Sequence, residues 1–181
     1  MPVVSCEVGW LRQLSLALLA VAGLGMPQWS LAEVRLSTTV HRVDGWMEEG
    51  GELKARLTDA ALVAAGDELR YAIAFTNTGL VPVDPGAIVI TNPIPETTEY
   101  VWDTAGGINA RILYRADAVA EAAATDASTA ESFLPLAELV VTEGGVLRSA
   151  AAADVRAIRW VYEAVLPPGK SSEVWFHVRL Q

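Results

Sequence analysis

Asp67-Glu68-Leu69-Arg70-Tyr71-Ala72-Ile73-Ala74-Phe75-Thr76 is the stretch that decides the fold class. Leu69, Tyr71, Ile73 and Phe75 alternate with Arg70, Ala72, Ala74 and Thr76, a period of two that turns one row toward a core and the other away from it. A helix would put Leu69 and Tyr71 on different faces. Ala65-Gly66 bends the chain into this strand, and Asn77-Thr78-Gly79 bends it out.

The same signal recurs on either side. Val34, Leu36, Thr38 and Val40 alternate with Arg35, Ser37 and Thr39 in a first strand. Ala87 to Thr91 is a β-branched run stopped by Asn92-Pro93-Ile94-Pro95, where prolines withhold ladder donors. Thr98–Trp102, Ala110–Tyr114, Leu139–Thr142, Ile158–Tyr162 and Val174–Leu180 complete the set. Seven or eight short strands with Gly and Pro turns predict an all-β fold, an antiparallel immunoglobulin-like β-sandwich forming a single domain over 33–181. Ala116 to Ala130 is too poor in large apolar groups to anchor a core helix and reads as a surface loop; Ala150 to Ala153 reads as a connector.

Residues 1–32 read as a signal-peptide helix. The apolar run Leu14 to Met26 is too short to span about 30 Å of bilayer, and Ser30-Leu31-Ala32 is a small-x-small cleavage pattern. The expectation is an exported protein, periplasmic or extracellular, with no membrane span in the mature chain. Cys6, the only cysteine, falls inside the leader, so the mature chain would have no disulfide, thiol nucleophile or thiolate metal site. With 22 acidic against 13 basic residues the net charge is −9, which argues against nucleic acid and anionic membrane surfaces as partners. At 52% hydrophobic and 19% charged, the composition is that of a chain with a core.

Four pieces stand in order: Ala65-Gly66-Asp67-Glu68-Leu69-Arg70-Tyr71; Thr76-Asn77-Thr78-Gly79; Thr91-Asn92-Pro93-Ile94-Pro95; and Trp160 followed by Leu166-Pro167-Pro168-Gly169 and Phe176. Together, over roughly Ala61 to Leu180, they resemble a bacterial conserved-repeat domain, the domain of unknown function numbered eleven. The resemblance implies an immunoglobulin-like sandwich on secreted or envelope proteins, and brings no activity, cofactor or functional residue. Ala65 replaces a usual proline, Asn92 a frequent aspartate, and Ala116–Ala130 a short connection.

The search for chemistry excludes more than it finds. His41 and His177 lie at opposite ends of the mature chain, each on the polar side of its strand, and read as exposed surface residues, not a zinc pair. No Gly-x-Ser-x-Gly elbow exists, and Gly169-Lys170-Ser171 lacks the upstream glycine and following helix of a phosphate loop. Asp44 to Glu52 lacks the alternating ligands of a calcium loop. Lys54 with Asn77 or Asn92 could form an isopeptide crosslink, although a solvated lysine is the preferred reading. Val174, Phe176 and Val178 point inward, so Trp175 points outward; with Trp46 it makes the expected interaction surface. The expectation is a non-enzymatic exported β-sandwich module for cell-envelope structure or protein interaction, without metal or cofactor. The alternative is a carbohydrate-binding module using the two tryptophans. The expected partner is an envelope or extracellular protein or a glycan, with Arg35–Arg42 and Glu173–Leu180 as edge strands.

Overall fold

The computed structural model describes residues 33–116 and 133–181; the expected signal-peptide helix of residues 1–32, Cys6 and residues 117–130 of the alanine-rich segment lie outside them. Among the described residues the chain runs through β1 (Val34–Glu49), β2 (Glu52–Asp59), β3 (Glu68–Asn77), β4 (Val89–Pro93), β5 (Thr98–Tyr100) and β6 (Gly106–Gly107). It continues through β7 (Ala110–Ala116), β8 (Val140–Glu143), β9 (Val146–Ser149), β10 (Val155–Tyr162) and β11 (Ser171–Leu180). These form three separate sheets: β2-β1-β3-β11-β5, with β6 also on β11; β4-β10-β7; and the β8-β9 hairpin.

That arrangement overturns the expected closed immunoglobulin-like sandwich of seven or eight strands. The all-β class stands, but the eleven strands among the described residues lie in three unclosed sheets. The proposed envelope or protein-interaction role of an exported β-sandwich module rested on the sandwich and falls with it. The physical reason is that alternation reports which face of a strand is buried, not which strands pair or where a sheet ends. Both expected edge strands are corrected as well. β11 lies between β3 and the β5 and β6 segments, and β1 lies between β3 and β2.

Side chains from the two larger sheets share one core. Leu69, Ile73 and Phe75 of β3 and Val174, Phe176 and Val178 of β11 meet Ile158, Trp160 and Tyr162 of β10. Phe75 meets Tyr162 edge-on at 5.2 Å, and Trp160 meets Phe176 at 5.8 Å. Tyr71, only half-buried, stacks on Phe176 at 5.1 Å. The Trp160 indole N–H also donates to the Gly106 carbonyl at 3.1 Å, tying β10 to β6. Asn77 is fully buried: its amide donates to the Val81 and Leu166 carbonyls at 2.8 and 2.9 Å, and its oxygen accepts the Gly79 N–H at 3.0 Å. The lone polar group in this position is therefore satisfied.

β1 serves two neighbours. Val34–Arg42 pairs with β3, while His41–Glu49 pairs with β2. Between Val43↔Leu57 and Trp46↔Ala55, Asp44 and Gly45 stand opposite Arg56 alone, a β-bulge. Gly45 takes φ +144°, open to glycine and strained for other residues. Asp44 accepts from Arg56 at 2.6 Å and from Arg42 at 3.3 Å, pinning the irregularity. One extra residue reverses the facing of everything after it, so Trp46 faces the same side as His41. The β1–β2 arm beyond the bulge thereby presents Trp46 to the outer face of the large sheet.

Candidate functional site

The outer row of the large sheet holds Arg70 on β3 with Trp175 and His177 on β11, each alternating with core residues. The arm adds Trp46, Lys54, Ala55 and Leu57, and the loop after β5 adds Asp103 and Thr104; together they line a cleft of about 430 Å³. Trp46 and Trp175, expected only as exposed aromatics, thus belong to one site. Trp46 is 54% exposed, with one face stacked on the His177 ring at 5.9 Å and 26°. Trp175 points outward as expected yet is half-buried. The Arg70 guanidinium sits 5.1 Å from its ring centroid, and that same guanidinium donates to Glu173 at 2.9 Å.

Gly106 makes room for the indole. A Cβ built on it would lie 2.5 Å from the Trp175 ring carbons, so the ring occupies the space any larger residue would need. Gly106 is therefore held from below by the Trp160 N–H and covered from above by Trp175.

His177 departs from the expected surface histidine. It is 4% exposed, and its Nδ1 lies 2.7 Å from Glu68 Oε1. A carboxylate only accepts, so Nδ1 carries the proton. Glu68 Oε2 lies 3.6 Å from the Arg179 guanidinium, and the His177 backbone N–H donates to the Thr104 hydroxyl at 3.1 Å. His41, also expected exposed, is half-buried. It stands opposite Arg70 in the ladder, as His177 does from the other side, which puts the two histidines about 10 Å apart, two strand spacings.

The cleft's lip is braced from the core. The Tyr100 hydroxyl accepts the Ala105 N–H at 3.1 Å and lies 3.4 Å from the Tyr114 hydroxyl. Burial, and then the bond to Tyr100, push the Tyr114 phenol well above its ordinary range, so Tyr114 stays neutral. Asp103 takes φ +59°, a left-handed conformation that aspartate tolerates.

Lys54 is exposed and bonded to Glu49 at 2.8 Å, while Asn77 is buried at the opposite end of β1 with its own hydrogen bonds filled. Asn92, the other candidate, lies on β4 in the three-stranded sheet and donates to the Pro93 carbonyl at 2.9 Å, whereas Lys54 is on β2 of the large sheet, so neither isopeptide pair is brought together. Among the described residues no group of three His, Cys, Asp or Glu side chains is placed to hold a metal ion, and no helix is long and apolar enough to cross a membrane.

Comparison with family models, with curated proteins and with solved structures returns no match. The resemblance to the conserved-repeat domain is therefore unsupported, and the sandwich it implied is contradicted by the three-sheet topology.

Arg70, Asp103 and Gly106 are not marked by the sequence as site residues, and Lys54 is marked there only as a crosslink candidate. One signal was available: Arg70 shares the outer row of its strand, and His177 has the same facing as Trp175. What brings them to Trp46 is the bulge, and a bulge has no reliable sequence mark.

Proposed function

We propose that this protein is a non-catalytic binding module whose ligand, a neutral saccharide of one or two rings, sits in the cleft between the β1–β2 arm and the large sheet. The observation that carries this is the convergence of Trp46 and Trp175, from strands far apart in sequence, on one cleft of about 430 Å³. That volume lies in the range of small-ligand sites. An indole packs against the C–H face of a pyranose, and the open side of Trp46 is free to do so. Both signs of charge line the cleft, Arg70 and Lys54 against Asp103. Such a mixture suits hydroxyl groups, which donate and accept, better than an anion or a cation.

A catalytic role for the same cleft is disfavoured on its donor set. Glycoside hydrolysis by the common route needs two carboxylates flanking the scissile bond, and Asp103 is the one carboxylate among the lining residues. The leader-like segment 1–32 supports placing the protein outside the cytoplasm, where polysaccharides are accessible. N-terminal sequencing of the protein from an expressing cell would then begin at Glu33. The binding reading is tested by a glycan array followed by titration of tryptophan fluorescence with the neutral saccharides that bind. Saturable quenching supports it, and an array without signal refutes it.

A further inference from the structure

We infer that His177 supplies a hydrogen-bond acceptor to the cleft, its Nε2 receiving a hydroxyl proton from the saccharide, so that this contact needs the neutral imidazole. This rests on the saccharide reading of the cleft. The ring is buried, with Nδ1 committed to Glu68 at 2.7 Å and one face covered by Trp46. Among the described residues Nε2 has no protein hydrogen-bond partner, and it is not one of the side-chain nitrogens sealed from solvent without a partner, which are His41 Nδ1 and Arg42 Nε. His177 lines the cleft, so a buried ring meets solvent there. Its fixed orientation makes Nε2 an acceptor of set direction while the ring is neutral. Protonation would turn that same atom into a donor.

The charged neighbours fit this assignment. β3 presents Glu68 and Arg70, β11 presents Arg179 and Glu173, β2 brings Lys54, β1 brings Trp46 and His41, and the loop after β5 brings Asp103. The cations at the cleft, Arg70 and Lys54, can only donate to a sugar oxygen. His177 and Asp103 are left to accept from its hydroxyls. A ligand with hydroxyls on adjacent carbons would use both kinds of group at once.

The test uses the full-length protein with cellobiose, maltose and N,N′-diacetylchitobiose as probes. Affinity is read by tryptophan fluorescence from pH 8 to pH 5, and the imidazole is read by nitrogen-15 NMR. Expected are a protonated Nδ1 and bare Nε2 at pH 8, a shift of the Nε2 resonance on adding sugar, and affinity falling about tenfold as the ring protonates. His177→Asn keeps a donor for Glu68 but has no atom at the Nε2 position, and is expected to lose about tenfold in affinity at pH 8. His177→Gln retains an amide oxygen near that position and is expected to bind more tightly than the asparagine variant, without the pH dependence. Circular dichroism establishes that each variant is folded. A proton on Nε2 at pH 8, or wild-type affinity in folded His177→Asn, overturns the inference while leaving the saccharide site standing. Failure of every probe to bind wild-type protein overturns both.

Discussion

Asn77 carries three hydrogen bonds from a site with no solvent: the Val81 carbonyl relies on it, the Leu166 carbonyl shares it with the Val83 N–H at 3.0 Å, and the Gly79 N–H shares it with the Glu33 carbonyl at 3.2 Å. Removing the amide strands the Val81 carbonyl at the β3 exit turn and leaves the Leu166 carbonyl and the Gly79 N–H with one backbone partner each. Asn77→Ala is expected to lower unfolding free energy by about 1–3 kcal/mol, since a buried polar group left unpaired costs more than an ordinary hydrogen bond returns. Urea denaturation measures it; a change below about 0.5 kcal/mol would mean that water replaces the side chain. Gly106 makes the complementary case, where the absence of a side chain matters. Gly106→Ala would put a methyl group into the Trp175 ring and is expected to reduce saccharide affinity about tenfold, while circular dichroism stays that of the parent. Unchanged affinity would show that the position of Trp175 is not critical.

At the scale of elements, the bulge in β1 decides whether there is a site. Deleting Gly45 would leave Trp46 opposite Ala55 and on its present face, but would remove the bend that carries the arm over the large sheet. The expected result is loss of saccharide quenching with the β-sheet circular dichroism retained; retained binding would show that the cleft does not depend on the bulge. The β8–β9 hairpin offers an electrostatic test. Arg148 makes two bonds to Asp154, at 2.6 and 3.0 Å, and Asp154 also accepts the Ala151 N–H at 2.6 Å. The bond from Arg148 is the main reason the Asp154 carboxyl is held below the usual carboxylate range. A folded-state value below the unfolded one means stabilisation that is complete above the ordinary carboxylate pKa of about 4 and fades as pH falls through the folded value. The melting temperature of Asp154→Asn is therefore expected to lie below that of the parent at pH 7 and to approach it in acid. A gap of constant size would deny the carboxylate its role.

These elements also show what could be read from the chain beforehand. β3 and β11 were legible because their inner rows are large and apolar and their outer rows are not. β2 carries a readable signal as well: Leu53, Ala55 and Leu57 alternate with Lys54 and Arg56 directly after Gly50-Gly51. Those two glycines adopt φ +67° and +86°, the left-handed pair that a tight hairpin turn demands. β9 hid in the same way behind Gly144-Gly145. β6 has two glycines and no side-chain pattern to read at all. The outward facing of Trp175 was legible from its neighbours, whereas the burial of His177 was not, because it is covered by an arm folded across from another strand.

For the whole molecule, two larger sheets joined by side chains leave an outer surface on the six-stranded sheet, and the arm converts part of that surface into a concave site. An acidic chain of net charge −9 thus carries a cleft with Arg70, Lys54 and Asp103 at its walls. The sheets hold the outer row rigid, while the arm contributes the more exposed wall. Binding energy in such a site is expected to concentrate in the two indoles, since buried aromatic contact dominates small interfaces. The most direct measurement is tryptophan-fluorescence titration of the wild-type protein, Trp46→Ala and Trp175→Ala with neutral disaccharides identified on a glycan array. Saturable binding by the wild type, weakened at least about tenfold in each folded variant, is the predicted result. Binding equally tight in both variants, or none in the wild type, would contradict the account.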